Sequence, residues 1–174
     1  LSNDVEGLSV GQGNYGTILT DRGKMLGDYR LAVRDDDLLL DTEPEIGVAL
    51  AERLDRFLIS EDAAIHVESD AWALYGVAGP KAADHIASTL SVDVGALEEH
   101  GGLSAATACG EATIVCRNRT GEMGYDVWVE QESRQAVWRA LTADAPSVFA
   151  EALEALRVEA AIPRYGADTD EGII

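Results

Sequence analysis

Lys24-Met-Leu-Gly-Asp-Tyr-Arg-Leu-Ala-Val33, then Asp35-Asp-Asp37 and Leu38-Leu-Leu40, reads as a long strand, a turn and a short buried strand. Met25, Leu26, Leu31 and Val33 supply much of the apolar content. Pro44 follows where a first helical turn would begin, with Thr42 and Glu45 as cap candidates, and the helix is predicted to run to about residue 59. Ile46, Ala49, Leu50, Leu54, Phe57 and Leu58 recur there at helical spacing, while Glu52, Arg53, Asp55 and Arg56 take the wet side. The same order returns near 112–142: a strand at 112–116, a connection at 117–124, a strand at 125–129 and a helix at 133–141. This repeat predicts an α+β domain of two related, intertwined strand–strand–helix halves, not a parallel doubly wound sheet. The halves fall at about 1–60 and 104–174, with a middle segment at about 61–103.

Outward from these units the signals are simpler. A first strand is predicted at 14–20, closed by the turn Asp21-Arg-Gly23. Residues 63–67 and 71–77 read as paired strands, and Gly79-Pro80 opens a helix over 81–90. Gly101-Gly102 reads as a link. A last helix is predicted from about 147 to 161, stopped by Pro163.

Composition bounds the function. With 174 residues, 47% of them hydrophobic, the chain can bury a core. It carries 32 acidic against 13 basic residues, a net charge of −19, and only Lys24 and Lys81 are lysines. Such a surface repels phosphate backbones, so direct nucleic-acid binding is not expected. Dense carboxylates with few lysines point to a halophilic protein, whose self-repulsion salt screens; Arg34-Asp-Asp-Asp37 is then a surface turn. No run of 18 apolar residues occurs, so no membrane partner is expected, and a reducing cytoplasmic setting fits two isolated cysteines. Cys109 and Cys116 lack zinc or redox spacing, and Cys116 closes an apolar strand. His66, His85 and His100 show no ligand spacing, and no metal site is expected. There is no phosphate-binding loop, dinucleotide fingerprint or nucleophile elbow.

A further series of marks spans almost the whole chain in a fixed order: Ser2-Asn-Asp-Val5, Gly11-Gln-Gly-Asn-Tyr15, Gly23-Lys-Met-Leu-Gly-Asp28, Val77-Ala-Gly-Pro80, Thr120-Gly-Glu-Met-Gly-Tyr125, Leu156-Arg-Val-Glu-Ala160 and Pro163-Arg-Tyr-Gly-Ala-Asp168. In this series the chain resembles the folate-binding aminomethyltransferase superfamily, which holds the glycine-cleavage T-protein and the YgfZ-type proteins. The resemblance implies that tetrahydrofolate is the cofactor and lies between the two halves. It also implies that a C-terminal barrel domain is missing, so that the chain is a fragment of a longer protein.

By the same resemblance, Asp28 is the catalytic candidate, near the one-carbon position, where a carboxylate can hold a proton or stabilise a developing cation. Glu122 would read the pterin, whose adjacent N–H donors a carboxylate accepts in pairs. Gly121 and Gly124 would let the backbone bend around the ring. Tyr15 and Tyr125 would wall a flat ligand, and Arg157 would touch the anionic folate tail. Each has a plainer alternative: an outward strand residue for Asp28, a hairpin-tip acid for Glu122, core for the tyrosines, an ion pair with Glu159 for Arg157.

The chain also departs from the T-protein pattern. Arg119 stands where T-proteins carry a tyrosine, and Gly27-Asp28 replaces an Asp-Asp pair. These departures, with Ile162-Pro-Arg-Tyr-Gly166, resemble the YgfZ-type branch, which implies support of iron–sulfur proteins as partners. The alternatives are an aminomethyltransferase or related folate-dependent demethylase, and a folate-independent interaction module.

Overall fold

The computed structural model describes residues 1–60 and 62–172. Strands β1 (Gly13–Leu19), β2 (Met25–Val33) and β3 (Leu38–Asp41) form one antiparallel sheet in that order. The β1–β2 turn uses Gly23 at φ 78°, where a side chain would be strained, and the Thr20 hydroxyl accepts the amides of Arg22 and Lys24. Helix α1 (Gly47–Asp55) follows. One face of β2 carries Tyr29 and Leu31, which pack with Ile18 and Leu50 into a small core between sheet and helix.

The second sheet is antiparallel too, in the order β4-β7-β6-β5, from β4 (Trp72–Ala78), β5 (Gly102–Thr107), β6 (Gly110–Cys116) and β7 (Gly124–Glu130). Its inner residues Ala112, Ile114, Tyr125, Val127 and Val129 pack against α2 (Ala82–Leu90) and α3 (Arg134–Thr142). Ala82, Ile86 and Leu90 recur every four residues on the buried side of α2, and Val137 and Leu141 do so on α3. Helix α4 (Ala150–Glu159) buries none of its residues.

The α+β class with antiparallel pairing stands as the sequence implied. Five local expectations do not. Residues 63–67 join no sheet, whereas β5 forms where a link was expected. Helix α1 starts three residues after Pro44, and the Thr42 hydroxyl donates to the Asp28 carbonyl at 2.7 Å instead of capping it. That helix also ends before Phe57, which is 65% exposed.

The first sheet meets the segment before β5 closely at Gly13. A Cβ there would run into the carbonyl oxygens of His100 and Leu31. Backbone atoms from two segments cannot give way cheaply, so Gly13→Ala is expected to cost about 3 kcal/mol. Urea unfolding checks this; a loss below about 1 kcal/mol means the seam is looser than described.

Candidate functional site

The seam between the sheets is a cleft lined by Arg30, Asp41, His100, Arg117, Asp126 and Trp128, among others. Its enclosed part is about 20 Å³, and the space including the open mouth about 300 Å³. The enclosed part has room for about one water molecule.

Strand β2 aims alternate residues at this side. Asp28, Arg30 and Ala32 share one face because strand side chains alternate. Register places Tyr15 of β1 and Asp41 of β3 directly opposite Arg30, on either side. The Tyr15 hydroxyl reaches diagonally to donate to Asp28 Oδ2 at 2.9 Å. Asp28 is 1% exposed, and its other oxygen, Oδ1, has no hydrogen-bond partner among the described residues. A buried carboxylate oxygen left unpaired is costly, and such costs concentrate where a ligand is to be met.

Burial, and then the negative charge of Asp28 and the bond to it, push the Tyr15 hydroxyl up to about 12. The sign follows directly. A tyrosine whose folded value lies above its unfolded one stabilises the fold fully below about pH 10, and that contribution is lost as the pH rises towards 12. Tyr15 is therefore expected to ionise well above the ordinary tyrosine value, together with alkaline loss of stability. Ultraviolet tyrosinate titration of the parent and Tyr15→Phe checks this; a phenol lost from the variant's curve at the ordinary tyrosine value would refute the bond.

The Tyr15 ring has two further neighbours. His100 stacks on it at 6.3 Å, from a backbone held at φ 67°. Few non-glycine residues adopt that conformation, so the fold holds His100 in place at a cost. Burial, the largest influence, pushes its imidazole below the usual histidine value and favours the neutral ring. Arg30 lies over the same ring, 5.3 Å from its centre.

Behind these lies a buried ionic chain that joins the sheets. Arg117 Nη1 donates to Asp41 Oδ2 at 2.6 Å and to Asp126 Oδ2 at 3.0 Å. Arg119 grips Asp126 with both arms, at 2.6 and 2.7 Å. Burial holds the Asp41 carboxyl above its usual range, against the opposing pull of Arg117, and lowers Arg117 itself. Burial also works against the Arg119 charge, but its bond to Asp126 and that carboxylate's charge outweigh it, so Arg119 is raised.

The candidates from sequence are thus dispersed. Asp28 and Tyr15 are bonded to each other beside the cleft, Asp28 on the strand face that carries Arg30 into it, and Asp28 is buried, not outward. Glu122 and Gly121 sit exposed on the loop before β7, with Gly121 at φ 85° and its amide donating to Asn118 Oδ1 at 2.7 Å. Tyr125 is 1% exposed within the core of the second sheet. Arg157 binds Glu154 and Asp168, both at 2.6 Å, and the Ile162 carbonyl, and so ties α4 to the loop after it; Glu159 is not its partner. Residues Arg30, His100, Arg117 and Asp126 carried no functional signal in the sequence. They come from four separate segments, and only strand register brings them to one seam.

Residues 1–173 match the family model described as the GCVT N-terminal domain. Similar curated proteins include the aminomethyltransferase of Saccharopolyspora erythraea, 29% identical, with 95% of this chain and 47% of that protein aligned. The aminomethyltransferase of Streptomyces avermitilis is 30% identical over 95% of this chain and 46% of its own length. In fold, the chain superposes on the crystal structure of glycine cleavage system aminomethyltransferase T from Bartonella henselae with a TM-score of 0.83, at 22% identity, covering 95% of this chain and 45% of that one. The chain spans about half the length of the curated relatives it matches.

Proposed function

The chain belongs to the family of the GCVT N-terminal domain, and from that membership we propose that it binds tetrahydrofolate and serves folate-dependent one-carbon transfer of the aminomethyltransferase kind. The observation that carries this reading is the buried Asp28, fixed by Tyr15 through Oδ2 and unpaired at Oδ1.

The residues fit the ligand by the chemistry of their donors and acceptors. A reduced pterin is rich in N–H donors, and the uncommitted acceptors among the described residues include Asp28 Oδ1 and the exposed Glu122 carboxylate. The enclosed space, about 20 Å³, is too small for the ring. It would be held against the open side of the cleft. When bound, tetrahydrofolate supplies the nitrogens that accept the one-carbon unit. The work of the protein is to hold and orient. Tyr15 keeps one Asp28 oxygen occupied, so the other is the oxygen of that carboxylate left for an N–H or for a proton released on transfer. Asp28 in this scheme touches the ligand, Glu122 orients it, and the neutral His100 supports the Tyr15 ring from behind.

A second reading, a YgfZ-type folate-binding protein that supports iron–sulfur proteins, is favoured by two departures from the T-protein pattern. Gly27 stands where the first Asp of a pair would be, and a Cβ there would lie 2.5 Å from Ile46 Cδ1, so an aspartate needs that side chain to move. Arg119 is committed to Asp126 and cannot stand in for a tyrosine against a ring.

Calorimetry with tetrahydrofolate, in low salt and again in molar potassium chloride, tests both. Binding with one site per chain is expected, stronger in high salt because the chain's net charge of −19 repels a folate carboxylate. No binding in either buffer would sink both readings and leave the interaction module.

A further inference from the structure

Arg30 is out of keeping with its surroundings. The chain has 32 acidic residues, and the other arginines near the cleft are bound to carboxylates: Arg34 to Asp37, Arg117 to Asp41 and Asp126, Arg119 to Asp126. The side chain of half-buried Arg30 makes no hydrogen bond or ion pair among the described residues, although it lines the cleft. Register sets Asp41 directly opposite it on β3, the usual place for a cross-strand pair, but Asp41 Oδ2 is taken by Arg117 at 2.6 Å. The guanidinium lies instead over the Tyr15 ring at 5.3 Å. Stacking satisfies the flat face of a guanidinium and leaves its in-plane N–H fork unused. Two residues along the same strand face, Asp28 has the converse defect, an acceptor with no donor.

We infer that Arg30 is the anion-recognition element of the cleft and takes a carboxylate of the bound ligand in its fork. A monoanion suits the site better than a phosphate. Asp28, Asp41 and Asp126 balance Arg30, Arg117 and Arg119 one for one, so two charges on a single group, as in phosphate, would leave the cleft strongly negative, whereas a glutamate tail carries its two on separate carboxylates and can seat one. The carboxylate has two possible sources: the glutamate tail of a folate, or a small amino acid that supplies the one-carbon unit. The first source rests on the folate reading; the second does not.

Three probes separate them by calorimetry on the whole chain: tetrahydrofolate, a methyl-tetrahydropterin with the same ring and no carboxylate, and glycine. The variants are Arg30→Leu, Arg30→Lys and, as a control of equal charge change, the exposed Arg22→Leu. If the tail is the source, Arg30→Leu weakens tetrahydrofolate roughly ten- to hundredfold, leaves the pterin unchanged, and Arg30→Lys recovers part of the loss. If an amino acid is the source, glycine binding is lost in Arg30→Leu and both ring probes are unaffected. Arg22→Leu changes none of them. Equal affinities in the parent and Arg30→Leu for every probe, with circular dichroism showing both folded, overturn the inference. So does a parent that binds none of the three. A parent that binds glycine but neither ring probe sinks the folate reading and leaves Arg30 standing.

Discussion

Asp28→Asn is expected to make the protein more stable and to weaken its hold on tetrahydrofolate at the same time. The Asp28 side chain is 1% exposed, with one oxygen bonded to Tyr15 and the other to nothing among the described residues. Removing its charge relieves a buried group that is only half satisfied, a gain of about 1–2 kcal/mol, or a few degrees in Tm. The amide still accepts the Tyr15 hydroxyl, so local geometry survives. What is lost is a charge-assisted acceptor for a ligand N–H, about 10–100-fold in affinity. Transfer, where it occurs, falls further, since a neutral amide cannot take a proton. Thermal unfolding and calorimetry on one preparation decide the matter. A structural aspartate gives the opposite pattern, with stability lost and affinity kept.

Asp126→Ala is expected to have the largest effect on stability of any single change in the cleft. Asp126 is 2% exposed and receives three bonds from two guanidiniums. Truncation leaves Arg119 without its partner and Arg117 with only Asp41. Stripping one member from a buried ionic network costs about 3–5 kcal/mol, against a whole-fold stability of about 5–15 kcal/mol. The triple change Asp126→Leu, Arg117→Met, Arg119→Leu leaves only Asp41 uncompensated and should recover most of the loss. Denaturant melts of both variants check this. A single variant within 1 kcal/mol of the parent would show that water already reaches the network.

The contrast between these residues shows how far the sequence carries. Strands β1, β2, β6 and β7 were legible because their apolar residues and turn signals fall at strand spacing. Strand β5 was not, because Gly102-Leu-Ser-Ala-Ala-Thr107 offers little apolar content and owes its extension to pairing with β6. Residues 63–67 show the converse: Ile65 and Val67 alternate with polar neighbours, yet no strand edge accepts them. Within the candidate site, Asp28 and Tyr15 could be nominated from marks along the chain. Their mutual bond depends on β1–β2 register, which no local pattern states. Arg30, Arg117 and Asp126 were invisible for a related reason. A lone arginine or aspartate in a chain this charged has the look of surface until folding shows which ones are buried.

The strand orders have a consequence for the time at which each layer can exist. The β1-β2-β3 sheet joins neighbours in sequence, so it can close as soon as Asp41 has been synthesised, with α1 following directly. The other sheet pairs its earliest strand, β4, with its last, β7. During translation, β4 must therefore wait with an unpaired edge while everything from Gly79 to Met123 is made, the interval in which a nascent chain is most open to wrong partners. The dense negative charge that surrounds this strand in the growing chain then has a kinetic use, because emerging copies repel one another until β7 arrives.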